Sequence, residues 1–497
     1  MAPSRDDAIV VGAGPNGLAA AVVLARAGLA VRVLERSDTI GGGARTQELT
    51  LPGFHHDVCS AVHPMGAVSG FFRRFQLDRR IRMITPDISY AHPLDGGRAG
   101  IAHRSLAETV AGLGADGPAF RRLLGGLVDR DDELAAFSMS PLLRVPDHPY
   151  TAASFGMAML DQGLPWWNAR WSSDEAPAMI AGVMAHAIRP MPTLSAAAAG
   201  LALAVHAHAR GWPVPEGGSQ RIADAMAADV VAHGGRIETG VDVRSLDEVR
   251  HARIVVLDVS ARALADISGD AFPPAYRRAL RRFRYGNAAS KVDFALSQPV
   301  PWTNEAVRRS PTVHLGGTRA EVQAAERAVA RGRHADDPFV LVVQQGVVDP
   351  TRAPAGQAAL WAYSHVPHGS TVDQTETITR AIERYAPGFR DTILASTSRT
   401  ATELERHDPN YVGGDIATGA PSVLQLIARP TFSADPWRTP IPGVYLGSAS
   451  TTPGPSVHGL GGAYAARSAL RHELGLDLPD LSVDAPMTAA AAPAGTH

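Results

Sequence analysis

The feature that most constrains this chain is the run IVVGAGPNGLAAAVVLARAGLAVRVLER at residues 9–36. Residues 8–11 read as a short strand, residues 18–27 as an alanine- and leucine-rich helix, and residues 30–34 as the next strand. Between strand and helix, Gly12, Gly14 and Gly17 keep the G-x-G-x-x-G spacing. Gly12 permits the tight turn, Gly14 lets a pyrophosphate approach the backbone, and Gly17 lets helix and strand pack closely. Free amides at the helix start then face the phosphates. The run is about long enough to span a membrane, but its early glycines, Pro15 and Asn16 fit strand, turn and helix better.

Glu35 closes the second strand 23 residues after Gly12, and Arg36 stands beside it at the same edge. A carboxylate there accepts from the adenine ribose hydroxyls and repels a 2′-phosphate, which favours FAD or NAD over NADP. A second glycine cluster follows, Gly41-Gly42-Gly43, leading to Arg45. Such a cluster is out of place in a plain NAD dehydrogenase. It suits a loop that folds back over an extended cofactor and brings Arg45 to the phosphates or the ring. The other reading is a flexible loop with a surface arginine.

With 497 residues, two or three domains or one composite body are expected. A formal net charge of −2, with no basic helix or zinc-finger pattern, gives no case for a nucleic-acid partner. Cys59 is the only cysteine, so an intramolecular disulfide or C-x-x-C relay to a flavin is excluded. Lys291 is the only lysine; its strand-like surroundings argue against catalysis. No signal peptide or transmembrane helix is evident, and the expected location is cytoplasmic, with peripheral membrane association kept open.

These residues resemble the FAD-dependent phytoene desaturase-like oxidoreductases, within the superfamily that also holds the amine oxidases. Within that group the chain looks closest to the branch of pyridine nucleotide-disulfide oxidoreductase domain-containing protein 2. The resemblance rests on Gly12, Gly14, Gly17 and Glu35, on Gly41-Gly42-Gly43 with Arg45 and Thr46, and on Pro52-Gly53-Phe54 with Asp57. It also rests on GVYLGSASTTPGPSVHGLGGAYAARSAL at residues 443–470. It implies FAD as cofactor. It also implies that Gly447 and Ser448 lie near the ribityl and phosphate region, and that residues 455–462, with Val457, His458 and Gly459, meet the isoalloxazine. Val243 is implied at the adenine end. Read without the family, residues 444–446 are a short strand and Gly459, Gly461 and Gly462 open a helix.

The expected fold is therefore α/β: a Rossmann-type FAD-binding domain built from discontinuous segments, with a mixed-sheet plus helical substrate domain. The cofactor domain takes residues 1–70, 212–280 and 411–475, the substrate domain 71–211 and 281–410, and 476–497 forms a loose tail. Trp166, Trp167 and Trp171 either line an apolar pocket or membrane-facing mouth, or are core. Tyr363 and His365 share a strand face under a period of two and are candidate catalytic residues with His458, whose ring suits proton transfer. His55, His56, Asp57, Cys59 and His63 suit no zinc spacing, so no metal is expected; His63 or Asp57 is instead a candidate substrate contact.

The resemblance implies desaturation or isomerisation of an apolar polyene, isoprenoid or acyl-like substrate by hydride transfer to flavin N5, with oxygen or a quinone as acceptor. The alternatives are an amine oxidase or dehydrogenase and a non-enzymatic FAD-binding protein. A homo-oligomer is compatible with either. No second G-x-G-x-x-G unit is present, so a tightly bound NAD(P)H is not expected.

Overall fold

A computed structural model describes residues 6–485. Two sheets organise the chain. The first is five-stranded and parallel, in the order Val444–Leu446, Ile254–Leu257, Ala8–Val11, Val31–Leu34, Arg236–Glu238. Its strands come from three separated parts of the sequence. Ala8–Val11 and Ile254–Leu257 are buried along their whole length, which is why both read as unbroken apolar runs.

The helix Pro15–Arg26 covers one face of this sheet, with proline in its first turn, where a missing N–H costs nothing. It lies deeper than an ordinary surface helix because a second helix, Leu460–Ala469, packs on it. A Cβ on Gly462 would stand 1.7 Å from the Asn16 carbonyl oxygen. Only glycine allows that approach, so two motifs 445 residues apart, at Gly17 and Gly462, close on each other.

The second sheet has seven strands, ordered Ile393–Arg399, Ala288–Leu296, Ala358–Val366, Val340–Val343, Thr312–Leu315, Ile88–Pro93, Ala99–His103. It is antiparallel except where Thr312–Leu315 runs parallel to Ile88–Pro93. The helices Glu175–Ala185 and Leu194–Ala209 are buried on nearly every side between this sheet and further helices. Each fully buried Leu, Ile or Met there contributes about 1.5–3 kcal/mol. No described helix is long and apolar enough to cross a membrane.

The expected loose tail is corrected for its described part. Leu481 is buried in the core beside the first helix, Arg26 donates to the Ser482 carbonyl at 2.7 Å, and Arg79 pairs with Asp484 at 2.7 Å. An apolar anchor flanked by two arginine contacts holds these residues down. Residues 486–497 lie outside the described residues.

Asp57 ties the two halves together. It is fully buried and accepts from Thr46 Oγ1, the Ser219 amide, Gln345 Nε2 and Arg352 Nη2 at 2.7–3.0 Å. Burial pushes its pKa up, but Arg352 and these donors outweigh that and hold it below the ordinary value.

Candidate functional site

A single cavity of about 960 Å³ runs through both halves of the molecule. Its cofactor-domain end is lined by Gly12, Gly14, Pro15 and Asn16 from the first turn, by Glu35 and Arg36 from the second strand end, and by Val243. The glycine loop adds Gly42, Gly43 and Arg45, and the C-terminal loop adds Ser448 and Val457.

The local geometry explains the glycines. Gly12 has φ +98°, and a Cβ on Gly17 would meet the Gly12 carbonyl oxygen at 1.9 Å. A Cβ on Gly42 would stand 3.1 Å from the Gly14 Cα, so the second glycine loop lies against the first. Arg45 is buried, which sets aside the surface-arginine reading; it donates to the Thr39 carbonyl at 2.8 Å and stands 3.4 Å from Glu35. Glu35 Oε2 accepts from the Ala13 amide and Oε1 from the Ser37 amide, each at 2.8 Å. Those bonds fix the carboxylate in the cavity wall and leave lone pairs for ribose hydroxyls.

Two buried polar atoms here have no protein partner, Arg45 Nε and Asn16 Oδ1. Buried polar groups are normally hydrogen-bonded, so unpaired ones on the wall of a glycine cradle fit a polar ligand. A dinucleotide such as FAD matches the donors, the length and the acid at the ribose end.

Four expected contacts sit behind the wall instead. Gly17 gives its amide to Asp258 Oδ2 at 2.8 Å. Gly447 packs beneath the C-terminal helix, where a Cβ would press on Val256 and Ala465. Gly459, at φ +68°, clears Phe71 and Ala19. His458 is corrected as a catalytic candidate: it is buried outside the cavity lining, and both ring nitrogens are engaged. Nε2 donates to the Gly454 carbonyl at 3.2 Å, and Nδ1 accepts from the Leu460 amide at 3.0 Å, so the ring caps the helix. Burial lowers its pKa to about 4, which keeps it neutral.

The other end of the cavity is an apolar chamber. Phe137, Phe155, Met159, Trp212, Leu341, Val343, Trp361 and Tyr363 line it, with small side chains of the helix Leu194–Ala209. Tyr363 reaches the wall because Ala358–Val366 is a central strand whose alternate residues face this side. Burial pushes its hydroxyl pKa up, so it remains a donor. His365 shares that face, its ring centre 5.6 Å from that of Tyr363, but stands one layer behind the lining. Its Nδ1 donates to Glu326 at 2.5 Å, and its Nε2 is buried without a partner. Among Trp166, Trp167 and Trp171, none lines the cavity; Trp167 is core, with Arg319 stacked 4.2 Å from its ring centre. Asp57 and His63 are likewise outside the lining, and His63 bonds Ser219 at 2.8 Å. Lys291 is buried behind the wall and paired with Asp293; desolvation lowers its pKa.

Sequence reasoning missed two wall groups, His186 and Asp258. His186 stands at the end of the helix Glu175–Ala185 and shares a 2.9 Å Nε2–Nε2 hydrogen bond with buried His314. Burial lowers the His186 pKa to about 3, so the ring is neutral. Ser456, within the 455–462 stretch expected at the isoalloxazine, lines the cavity with φ 116°, a strained conformation for a non-glycine residue. Asp258 lines the cradle end; it closes the strand Ile254–Leu257 as Glu35 closes its neighbour but one, a positional signal that was there to be read.

Comparison with known proteins agrees with this architecture. The flavin containing amine oxidoreductase family matches residues 16–467. The chain is 26% identical over 555 aligned positions to "Pyridine nucleotide-disulfide oxidoreductase domain-containing protein 2" of Rattus norvegicus, covering 94% of this chain and 93% of that one. It is 26% identical to the phytoene dehydrogenase of Streptomyces griseus, covering 83% and 80%. The solved structure of cyclohexylamine oxidase from Brevibacterium oxydans superposes with a TM-score of 0.58 at 19% identity, covering 94% and 98%. The protein binds FAD, and with its cradle, chamber and family match it belongs to the flavin-containing amine oxidoreductases.

Proposed function

We propose that this FAD-dependent oxidoreductase oxidises an apolar amine, taken up as the neutral base. The observation that carries this reading is the chamber: no charged side chain lines its helical and sheet walls among the described residues. The acids of the cavity, Glu35, Asp242, Asp258, Asp266 and Asp408, all belong to the cofactor-domain lining or to the Asp408 turn near Arg45. An ammonium group has no counter-ion there, and burying it unpaired is costly. A neutral amine attached to a ring or alkyl body meets an uncharged wall whose polar groups include the Tyr363 hydroxyl, the His186 imidazole and the hydroxyls of Ser138, Ser140 and Ser195.

FAD, when bound, accepts a hydride from a C–H bond. The chain's own part is to exclude water and orient the amine. Neutral His186, in the tautomer that donates its Nε2–H to His314, has Nδ1 to accept an amine N–H, and Tyr363 donates to a polar atom. The family match supports amine chemistry, and the shared fold with cyclohexylamine oxidase supports an apolar amine.

A second reading is desaturation or isomerisation of a polyene, isoprenoid or acyl-like substrate. It is favoured by the match to phytoene dehydrogenase and by the same uncharged walls. The end-to-end match to the rat protein supports placing the chain in that branch of the family. Anaerobic mixing of the holoenzyme with cyclohexylamine, benzylamine, squalene and an acyl-CoA separates the readings through the visible flavin bands. Bleaching by the amines supports the first. Bleaching confined to squalene or the acyl compound replaces it with the second. Aerobic turnover with and without a soluble quinone then identifies the acceptor.

A further inference from the structure

The phosphate cradle contains an acid. Asp258 follows the strand Ile254–Leu257, and its carboxyl group lies under the first turn of the helix Pro15–Arg26. Oδ2 takes the Gly17 amide at 2.8 Å, and a Cβ on Gly14 would stand 2.9 Å from the same oxygen. Gly14 is the glycine that lets the backbone approach a dinucleotide pyrophosphate, and it lines the cavity. Asp258 itself lines the cavity.

An ionised carboxylate beside two phosphates would cancel the attraction of the helix terminus. Asp258 has no salt-bridge partner among the described residues. The facing groups make matters worse: Glu35 from the end of the next strand but one and Asp408 beyond the helix Ala401–His407 both carry negative charge toward it. Arg45 and Arg36 are the nearby cations, and their charge falls on Glu35 and Asp408. The Asn410 side chain meets Asp258 only at the backbone carbonyl, to which its Nδ2 donates at 3.4 Å.

We propose that Asp258 is a cofactor-binding residue that works as a neutral carboxylic acid, donating its O–H to the FAD diphosphate while its other lone pairs hold the Gly17 amide. Protonation is consistent with its surroundings: burial, then Asp408 and Glu35, push its pKa up to about 8 against the opposing Gly17 bond. The phosphates of bound FAD add negative charge and raise it further. FAD binding above that pKa therefore takes up one proton from solvent: carboxylate plus proton plus FAD gives the carboxylic acid hydrogen-bonded to the diphosphate. By linkage, affinity is flat below the free-state pKa and falls as pH rises above it.

The test is equilibrium dilution of the holoenzyme between pH 6.5 and 9.5, with released FAD read by its fluorescence; no turnover is needed. The wild-type Kd is expected to stay level to about pH 8 and then rise by up to about tenfold per pH unit. Asp258→Asn cannot ionise; its Kd is expected to be level across the range and below the wild-type value at pH 9.5. Asp258→Ser, also non-ionising, gives the same level profile and serves if the Asn variant does not accumulate. A level wild-type profile, or a neutral variant with the wild-type slope, overturns the proposal. FAD binding itself survives either result.

Discussion

The two ends of the cavity are built on different principles. The cofactor end is made by backbone: glycines whose missing side chains leave room, amides at a helix start, and acids at strand ends. The chamber is made by side chains from four distant stretches, residues 137–159, 186–212, 341–343 and 361–363, packed until no charge remains on its wall. Backbone recognition suits a ligand that never changes; side-chain walls can be recast for each substrate without disturbing the cradle. Damage to the first end should therefore remove FAD or the fold, and damage to the second should spare both.

The largest effect is expected at Gly17. Valine there places its Cβ 1.9 Å from a backbone oxygen that no side-chain rotation can move. Gly17→Val should cost more than the about 1–3 kcal/mol of ordinary overpacking and yield protein without flavin absorbance. A yellow, stable variant would show that the close approach is not required.

Asp57→Ala comes next. It leaves Arg352 buried without its carboxylate, at a cost of about 3–5 kcal/mol read by chemical denaturation. Because the folded pKa of Asp57 is depressed, its contribution is present above the unfolded carboxylate pKa and lost as pH falls through the folded value. The gap between wild type and Asp57→Asn should accordingly narrow in strong acid. A gap independent of pH would remove Asp57 from the linkage.

His186→Phe keeps the chamber apolar and removes its neutral acceptor. Flavin bleaching by an apolar amine should slow by about 10²-fold, while the Kd for FAD stays unchanged. Loss of FAD in this variant would break the distinction between the two ends. The smallest effect is expected at Gly156, inside the helix Pro149–Gly163, where a Cβ meets nothing within 4 Å. Gly156→Ala should stabilise the protein by about 0.5–1 kcal/mol with no change in either ligand property.

The same contrast decides what could be read from the sequence. The two-sheet α/β fold and the cofactor end were legible because their determinants are local: a glycine spacing, a strand-ending acid and a buried arginine within 34 residues, Gly12 to Arg45. Even there His458 misled, since a histidine at a helix start caps the backbone as readily as it meets a ring. The chamber was legible only where a strand's period exposes it, at Tyr363. His186 ends a helix of almost continuous apolar sequence, and nothing local separates it from the other 18 histidines. Its meaning comes from His314, 128 residues away. Trp212 and Trp167 look alike in sequence, yet one lines the chamber and the other lies under Arg319.

The most direct test of the account is an anaerobic titration of the holoenzyme with cyclohexylamine and with putrescine, each followed by loss of the visible flavin bands. An uncharged chamber predicts bleaching by cyclohexylamine and none, or far slower bleaching, by the diamine, whose second ammonium would stand unpaired against apolar wall. Preference for putrescine would contradict the account, because it would require a carboxylate in a wall where the structure places none among the described residues.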